Sequence, residues 1–219
     1  IADAEAVELM DTSITDAGLA HLRPLEHLQR LHLSSPGITG SGLKGFPGTK
    51  LRHLNFRESS GVNDVGLESI SAFRHVEFIN LSDTAVTDAG LRHLAGMKSL
   101  TFLLLQRTSI TDEGLSHLRN LTALEYLYLG STDVTSLADL GELTNLNTIE
   151  LSETRVDDAG LAGLGAFPKL ETLILSKTKV LGPGLAGLKN AMQLSTLKLN
   201  ETRINDAALA GLLELPKLT

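Results

Sequence analysis

The sequence contains no cysteine, which excludes disulfide staples, thiolate zinc sites and a cysteine nucleophile within its 219 residues. No apolar run approaches the ~18 residues of a membrane-spanning helix, so no membrane insertion is expected. Positive charge is in deficit, with 19 Lys and Arg against 26 Asp and Glu, for a formal net charge of -7. Nucleic acids and anionic membranes are bound by basic surfaces that displace counterions, so neither is expected as the main partner. No glycine-rich phosphate loop follows a strand-like segment, and no i, i+4 histidine pair offers zinc ligands. Neither a cofactor nor a metal is therefore anticipated. Aromatic residues are scarce, six Phe and two Tyr, so their distribution is informative.

What the chain has in abundance is self-similarity. The stretch Val76 to Ser99 is matched position by position by the next 24 residues. Counting its first residue as zero, apolar residues fall at positions 0, 3, 5, 10, 15, 18 and 21, with Thr at 8, Asp at 12 and Gly at 14. Further units begin at Ala4, Leu28, Leu51, Leu100, Leu124, Leu146, Leu170 and Leu194, making nine with the one at Val76. One unit cannot bury its apolar side alone, whereas stacked units cover one another. Residues 1–219 are thus expected to form a single repeat domain. The pattern is already running at IADAEAVEL and still running at LPKLT, so the domain is read as a fragment of a longer protein. Its ends leave apolar residues near Val7 and Leu218 available for end-to-end self-association.

Within a unit, the alternation Ile79-Asn80-Leu81 or Leu127-Tyr128-Leu129 has the period of two of a half-buried strand. The segment from position 12, as in Asp88 to Leu94, reads as a short helix with inward leucines. Asp16, Asp64, Asp88, Asp112, Asp158 and Asp206 are expected to cap these helices, each accepting from its own helix's first amides. Thr12, Thr84, Thr108, Thr132, Thr154, Thr178 and Thr202 close the strands and are expected to link coil to coil through their hydroxyls. The glycines inside the helical run imply close approach of neighbouring helices, because each costs about 1 kcal/mol relative to Ala. The second unit, rich in Gly and Pro, should be irregular; the third gains a residue and the sixth loses two.

Units such as Thr12 to Leu22, Thr84 to Leu94 and Thr108 to Leu118 resemble bacterial leucine-rich repeats of the T-x-V/I-T-D-A-G-L-x-H-L type. They are also similar to F-box-associated repeats and, more distantly, to ribonuclease-inhibitor-like repeats. The sixth, with VTSLADLGELTNL, is similar to the 22-residue internalin type. The resemblance implies a right-handed α/β horseshoe, a solenoid with a concave parallel sheet and convex short helices, and a protein-binding role on the concave face. There is no F-box or ligase domain in these residues to carry a more specific activity across.

In such a solenoid, positions 2, 4, 6 and 7 should face solvent on the concave side. Four of the eight aromatics fall there on three consecutive strands. Phe78, Phe102, Tyr126 and Tyr128, joined by Leu104, are expected to form one patch, since neighbouring strands lie about 4.8 Å apart. Arg57 and Arg107 should rim it on one side, with Arg30, and Glu150 with Glu153 on the other. A contiguous apolar patch with tyrosine and arginine has the composition of an interaction site, although aromatics also occur on strands simply because they pair well there. Phe46, Phe56, Phe73 and Phe167 take inward positions and belong to the core.

The function expected is protein-protein interaction through this patch, with peptide or glycan as other ligands that stack on aromatics. The alternative is a structural or spacer role in a larger surface or envelope protein. Catalysis is not expected. His32, His53, Glu58 and Ser34 could be drawn as base, acid and nucleophile, but they would stand on an open face with no pocket to exclude water.

Overall fold

Every second side chain of the alternating segments has a core to enter, and those segments become strands. The computed structural model describes residues 3–47, 50–210, 212 and 215–218. Its strands are β1 (Ala6–Met10), β2 (Arg30–Ser34), β3 (His53–Asn55), β4 (Phe78–Asn80), β5 (Phe102–Leu104), β6 (Tyr126–Tyr128), β7 (Thr148–Glu150), β8 (Thr172–Ile174) and β9 (Thr196–Lys198). All pair in parallel in chain order within one sheet. The register is that of the repeat, so Ile79 lies beside Leu103 and Leu103 beside Leu127. These inward residues, with Leu91, Leu115 and Leu161 from the convex side, are inaccessible to solvent. The four inward phenylalanines are buried with them, as their spacing predicts.

The returning segments are helical but short, and of two kinds. Asp16–Leu19, Asp64–Ile70, Asp88–Leu91, Asp112–Ser116 and Asp206–Ala210 are α-helical turns, whereas Ser41–Leu43, Ala138–Leu140, Leu164–Ala166 and Pro183–Asn190 are 3-10. Segments this short make few i to i-4 bonds, so the tighter turn competes well. Neighbouring segments pack closely enough to explain the glycines. A Cβ at Gly184 would lie 2.6 Å from the carbonyl oxygen of Asp158, and one at Gly160 would overlap that of Thr135.

Two expectations about recurring polar residues are corrected. Asp16, Asp64, Asp88, Asp112 and Asp158 do not cap their own helices; they reach into the next coil. Asp88 accepts from the Thr111 amide at 2.8 Å and from its hydroxyl at 2.6 Å. Asp64 does the same to Thr87, Asp112 to Thr135 and Asp16 to Thr39. The charge is thus spent on free amides one coil away, where it also aligns the successive helix starts. The threonines at position 8 behave oppositely. The hydroxyl of Thr84 donates to the Leu81 carbonyl at 2.6 Å, and Thr108, Thr132, Thr154, Thr178 and Thr202 repeat this bond within their own coils. They fasten the ends of β4 to β9 rather than joining coils, while the Thr12 hydroxyl makes neither bond among the described residues. A hydroxyl link between coils occurs at Ser59, which donates to Leu33 and accepts from the Ser35 amide.

Position 7, just after each strand, adopts a left-handed conformation in eight coils without a glycine among them: Asp11, Glu58, Asp83, Arg107, Ser131, Glu153, Lys177 and Glu201 have φ between 52° and 63°. Non-glycine residues visit this region reluctantly. Here the amides of all but Glu201 donate to the position-6 carbonyl of the following coil, as Arg107 does to Gly130 at 2.9 Å. The corner is held by its neighbour.

Candidate partner-binding face

The parallel register places position-2 side chains of successive strands beside one another on the concave face. Phe78 lies opposite Phe102, and Phe102 opposite Tyr126. Their rings form a column: centroids are 5.5 Å apart for Phe78 and Phe102, and 4.3 Å for Phe102 and Tyr126, the latter stacked nearly parallel at 16°. Tyr128 adds a contact of 5.8 Å to Phe102 and stands beside Leu104. All five side chains remain partly exposed. Offset stacking at these distances stabilises the column beyond its buried area.

His53 extends the column by one strand. Its ring stacks on Phe78 at 5.5 Å and 18°, so the side chain drawn as a base in the catalytic alternative is an aromatic neighbour instead. The signal was present in the sequence, because His53 holds the same position 2 as Phe78. Arg30 stands opposite His53 and continues the row onto β2.

The rim differs from the expectation at Glu150. Arg57 and Arg107 are exposed, and each meets a carboxylate: Arg57 Nε lies 3.1 Å from Glu58, and Arg107 grips Asp83 through Nε and Nη2. The Arg107 hydrogen bond holds the Asp83 carboxyl below the usual carboxylate range, and Asp83 in turn raises Arg107. Glu150 is not on an open rim. It is 8% exposed, its carboxylate accepting from the Ser152 amide at 2.7 Å and the Gly130 amide at 3.0 Å. Gly130 permits this, for a Cβ there would lie 3.2 Å from the Glu150 carboxyl carbon. Asn80, Ser82, Thr148 and Ser35 are likewise buried rather than exposed. On a concave sheet the side chains lean together, and small polar residues sink between larger neighbours.

Tyr128 lies beside this buried carboxylate. Burial first, then the charge of Glu150 and the proximity of Tyr126, raise its phenol above the ordinary tyrosine value, so it stays a hydrogen-bond donor at neutral pH. Glu153 takes the outer place foreseen for the acidic rim, bound to Ser131 Oγ at 2.9 Å and Lys177 Nζ at 2.7 Å. No helix of the described residues is long and apolar enough to cross a membrane.

Comparison with known proteins bears on the fold. A family model described as Leucine Rich repeat matches residues 25–46. A sequence search of curated proteins finds no match. Among solved structures, an internalin (InlF) of Listeria monocytogenes is 23% identical with a TM-score of 0.68, covering 91% of this chain and 62% of its own. A leucine-rich repeat protein of Leptospira interrogans is 17% identical with a TM-score of 0.68, over 96% of this chain and 59% of its own. A complex of TLR13 with ssRNA13 contains a chain 21% identical, with a TM-score of 0.70, of which 97% of this chain covers 32%. The present chain therefore spans about three fifths of the length of the two bacterial proteins and about a third of TLR13. At such identities the likeness is one of fold. One repeat matches the Leucine Rich repeat model, and the chain has the leucine-rich repeat fold seen in the Listeria and Leptospira structures.

Proposed function

We propose that the chain is a protein-binding module whose contact surface is the concave column His53, Phe78, Phe102 and Tyr126 with Leu104 and Tyr128, flanked by Arg57 and Arg107. The observation that carries the reading is the column itself. A third or more of the rare aromatic residues stand in register on adjacent strands, partly open to solvent, where an isolated solenoid gains nothing from leaving them uncovered. Tyrosine and arginine are the side chains that anchor protein interfaces. Binding rather than catalysis suits an open face, because nothing there excludes water from a reacting group. The RNA in the TLR13 complex belongs to that protein; here the net charge of -7 disfavours a polyanion. Glu150 contributes by holding Gly130 and Ser152, not by meeting the partner.

The test is a comparison of the chain with a Phe102→Ser, Tyr126→Ser variant, shown by thermal melting to remain folded, as baits in extract of the source organism. A protein retained by the first and lost by the second places the interface on the column. Identical retention by both, or none by either, removes the reading and leaves the structural or spacer role.

A further inference from the structure

Beside the column, where strands β3 to β5 end, a niche of about 220 Å³ is lined by Arg57, Asn80, Ser82, Leu104, Gln106 and Arg107. Its hydrogen-bonding capacity is one-sided. Asn80 is 7% exposed, and its Oδ1 accepts from the Ser82 amide at 2.9 Å. A backbone amide can only donate, so this bond fixes the orientation of the side chain and leaves Nδ2 as the end that faces the niche. No acceptor among the described residues meets that Nδ2. Gln106 repeats the arrangement: its Oε1 accepts from Ser82 Oγ at 2.8 Å, and its Nε2 has no acceptor among the described residues. Arg107 spends Nε and Nη2 on Asp83, and Arg57 meets Glu58 through Nε. Both amide oxygens of the niche are turned to internal donors, while the two amide nitrogens and parts of both guanidinium groups have no acceptor among the described residues. Asn80 is otherwise enclosed while its Nδ2 stays open to the niche, so a ligand acceptor there would replace water on a donor already held in place.

We infer that this niche receives one carboxylate of the partner protein, an Asp or Glu side chain or a chain terminus, seated beside an apolar residue that packs on Leu104 and Phe102. The inference rests on the protein-binding reading of the column and narrows it to an acidic-apolar motif. A single carboxylate fits where a polyanion does not. Glu58 and Asp83 occupy successive corners along the same edge of the sheet, with Glu153 three coils beyond Asp83, and a run of phosphates would meet these carboxylates. A carboxylate instead completes the donor set, with the Arg57 and Arg107 guanidinium groups supplying charge-assisted bonds.

The experiment is selection of a random seven-residue peptide display library on the chain, followed by affinity measurement on synthetic peptides. The expected result is enrichment of sequences pairing an aromatic or large aliphatic residue with one Asp or Glu. Replacing that residue by its amide is expected to weaken binding by about tenfold or more. Free and amidated C-termini separate a terminal carboxylate from a side-chain one. The reporter variant is Asn80→Asp, which keeps an oxygen for the Ser82 amide but replaces the free donor by an acceptor, and Arg57→Gln is the second. In both, the preference for acid over amide is expected to collapse while the contribution of the apolar residue persists, with thermal melting to establish that each variant is folded. Enriched apolar peptides indifferent to the acidic residue would overturn the carboxylate assignment and leave the column standing. No enrichment by the wild-type chain, or enrichment unaffected by Phe102→Ser, would remove both. Tighter binding of a fluorescein-labelled single-stranded RNA than of any peptide, reduced by Arg57→Gln, would reassign the niche to nucleic acid.

Discussion

Coils three to six and coils six to nine follow one consensus but are joined differently. In the first group every joint carries the aspartate clasp: Asp64 to Thr87, Asp88 to Thr111 and Asp112 to Thr135. In the second the clasp alternates. The sixth coil has Ser136 at the clasp position, and the following helical segment is capped by its own Asp157, which accepts from Gly160 at 3.0 Å. Asp158 restores the clasp onto the amides of Leu181, Gly182 and Gly184. The eighth coil has Gly182 there, and Asn205 caps locally by accepting from Ala208. An apolar cleft of about 360 Å³ opens at that last unclasped joint, between Leu181 and Pro183 on one side and Ala208 on the other. Burial does not distinguish the two groups through the eighth coil, since Leu103, Ile149 and Leu173 are all inaccessible. The difference lies in convex-side electrostatics, and the aromatic column stands on the continuously clasped run.

The comparison breaks most directly at Asp88. Asp88→Ala leaves the Thr111 amide and hydroxyl without their charged acceptor and is expected to cost about 1–3 kcal/mol, read by urea denaturation, with faster hydrogen exchange at Thr111. Ser136→Ala, at the corresponding position of the unclasped joint, removes only the local bond from the Ala138 amide at 3.1 Å and should cost less than Asp88→Ala, about 0.5–1 kcal/mol. Next is Gly114→Ala. Helix propensity alone would make it a gain of about 1 kcal/mol, but the new Cβ would lie 3.1 Å from the Asp88 carboxyl carbon. A net loss of about 1–2 kcal/mol is expected from displacing the clasp. At Gly141 a Cβ meets nothing closer than 3.7 Å, so Gly141→Ala should be neutral or mildly stabilising. A stabilised Gly114→Ala protein would show that the clasp contributes nothing.

A smaller effect sharpens the comparison from the other side. Ser136→Asp combined with Asp157→Thr writes the missing clasp into the joint between coils six and seven, and a gain of about 0.5–1 kcal/mol is expected in the same denaturation assay. The smallest effect concerns acid. Burial pushes the Asp16 carboxyl up, but bonds from the Thr39 hydroxyl, the Gly42 and Thr39 amides and the Ser41 hydroxyl outweigh it and hold the group below the usual carboxylate range. A depressed native value means stability fully present above the ordinary carboxylate range and lost as pH falls through the native one. Amide exchange at Thr39 and Gly42 should therefore accelerate on acidification below that range, and an Asp16 Cγ titration with its midpoint above it would contradict the clasp.

The strands, their order and the inward leucines were legible because a period of two within a period of about 24 leaves one way to stack them. The clasp was misread because capping rules are local, whereas Asp88 and Thr111 are 23 residues apart. Its signature is nonetheless written in the sequence. A coil that follows an aspartate at position 12 carries Thr39, Thr87, Thr111, Thr135 or Leu181 at position 11, while coils that follow Gly40, Ser136 or Gly182 carry Asn63, Asp157 and Asn205. The aromatic row was legible from register alone. The burial of Glu150 was not, since it depends on the space left by Gly130 one strand away, and curvature decides which polar residues sink.

The left-handed corners give the solenoid a direction. Every left-handed corner amide but that of Glu201 is satisfied by the coil that follows it, as Asp83 is by Gln106, whereas each clasped helix start is satisfied by the coil that precedes it. A coil stripped of its successor keeps its helix start and loses its corner; one stripped of its predecessor does the reverse. Peeling from the two ends is therefore a different chemical event at every step. Under tension the array would unravel as a ratchet with unlike teeth, releasing strained backbone from one end and uncompensated carboxylate partners from the other.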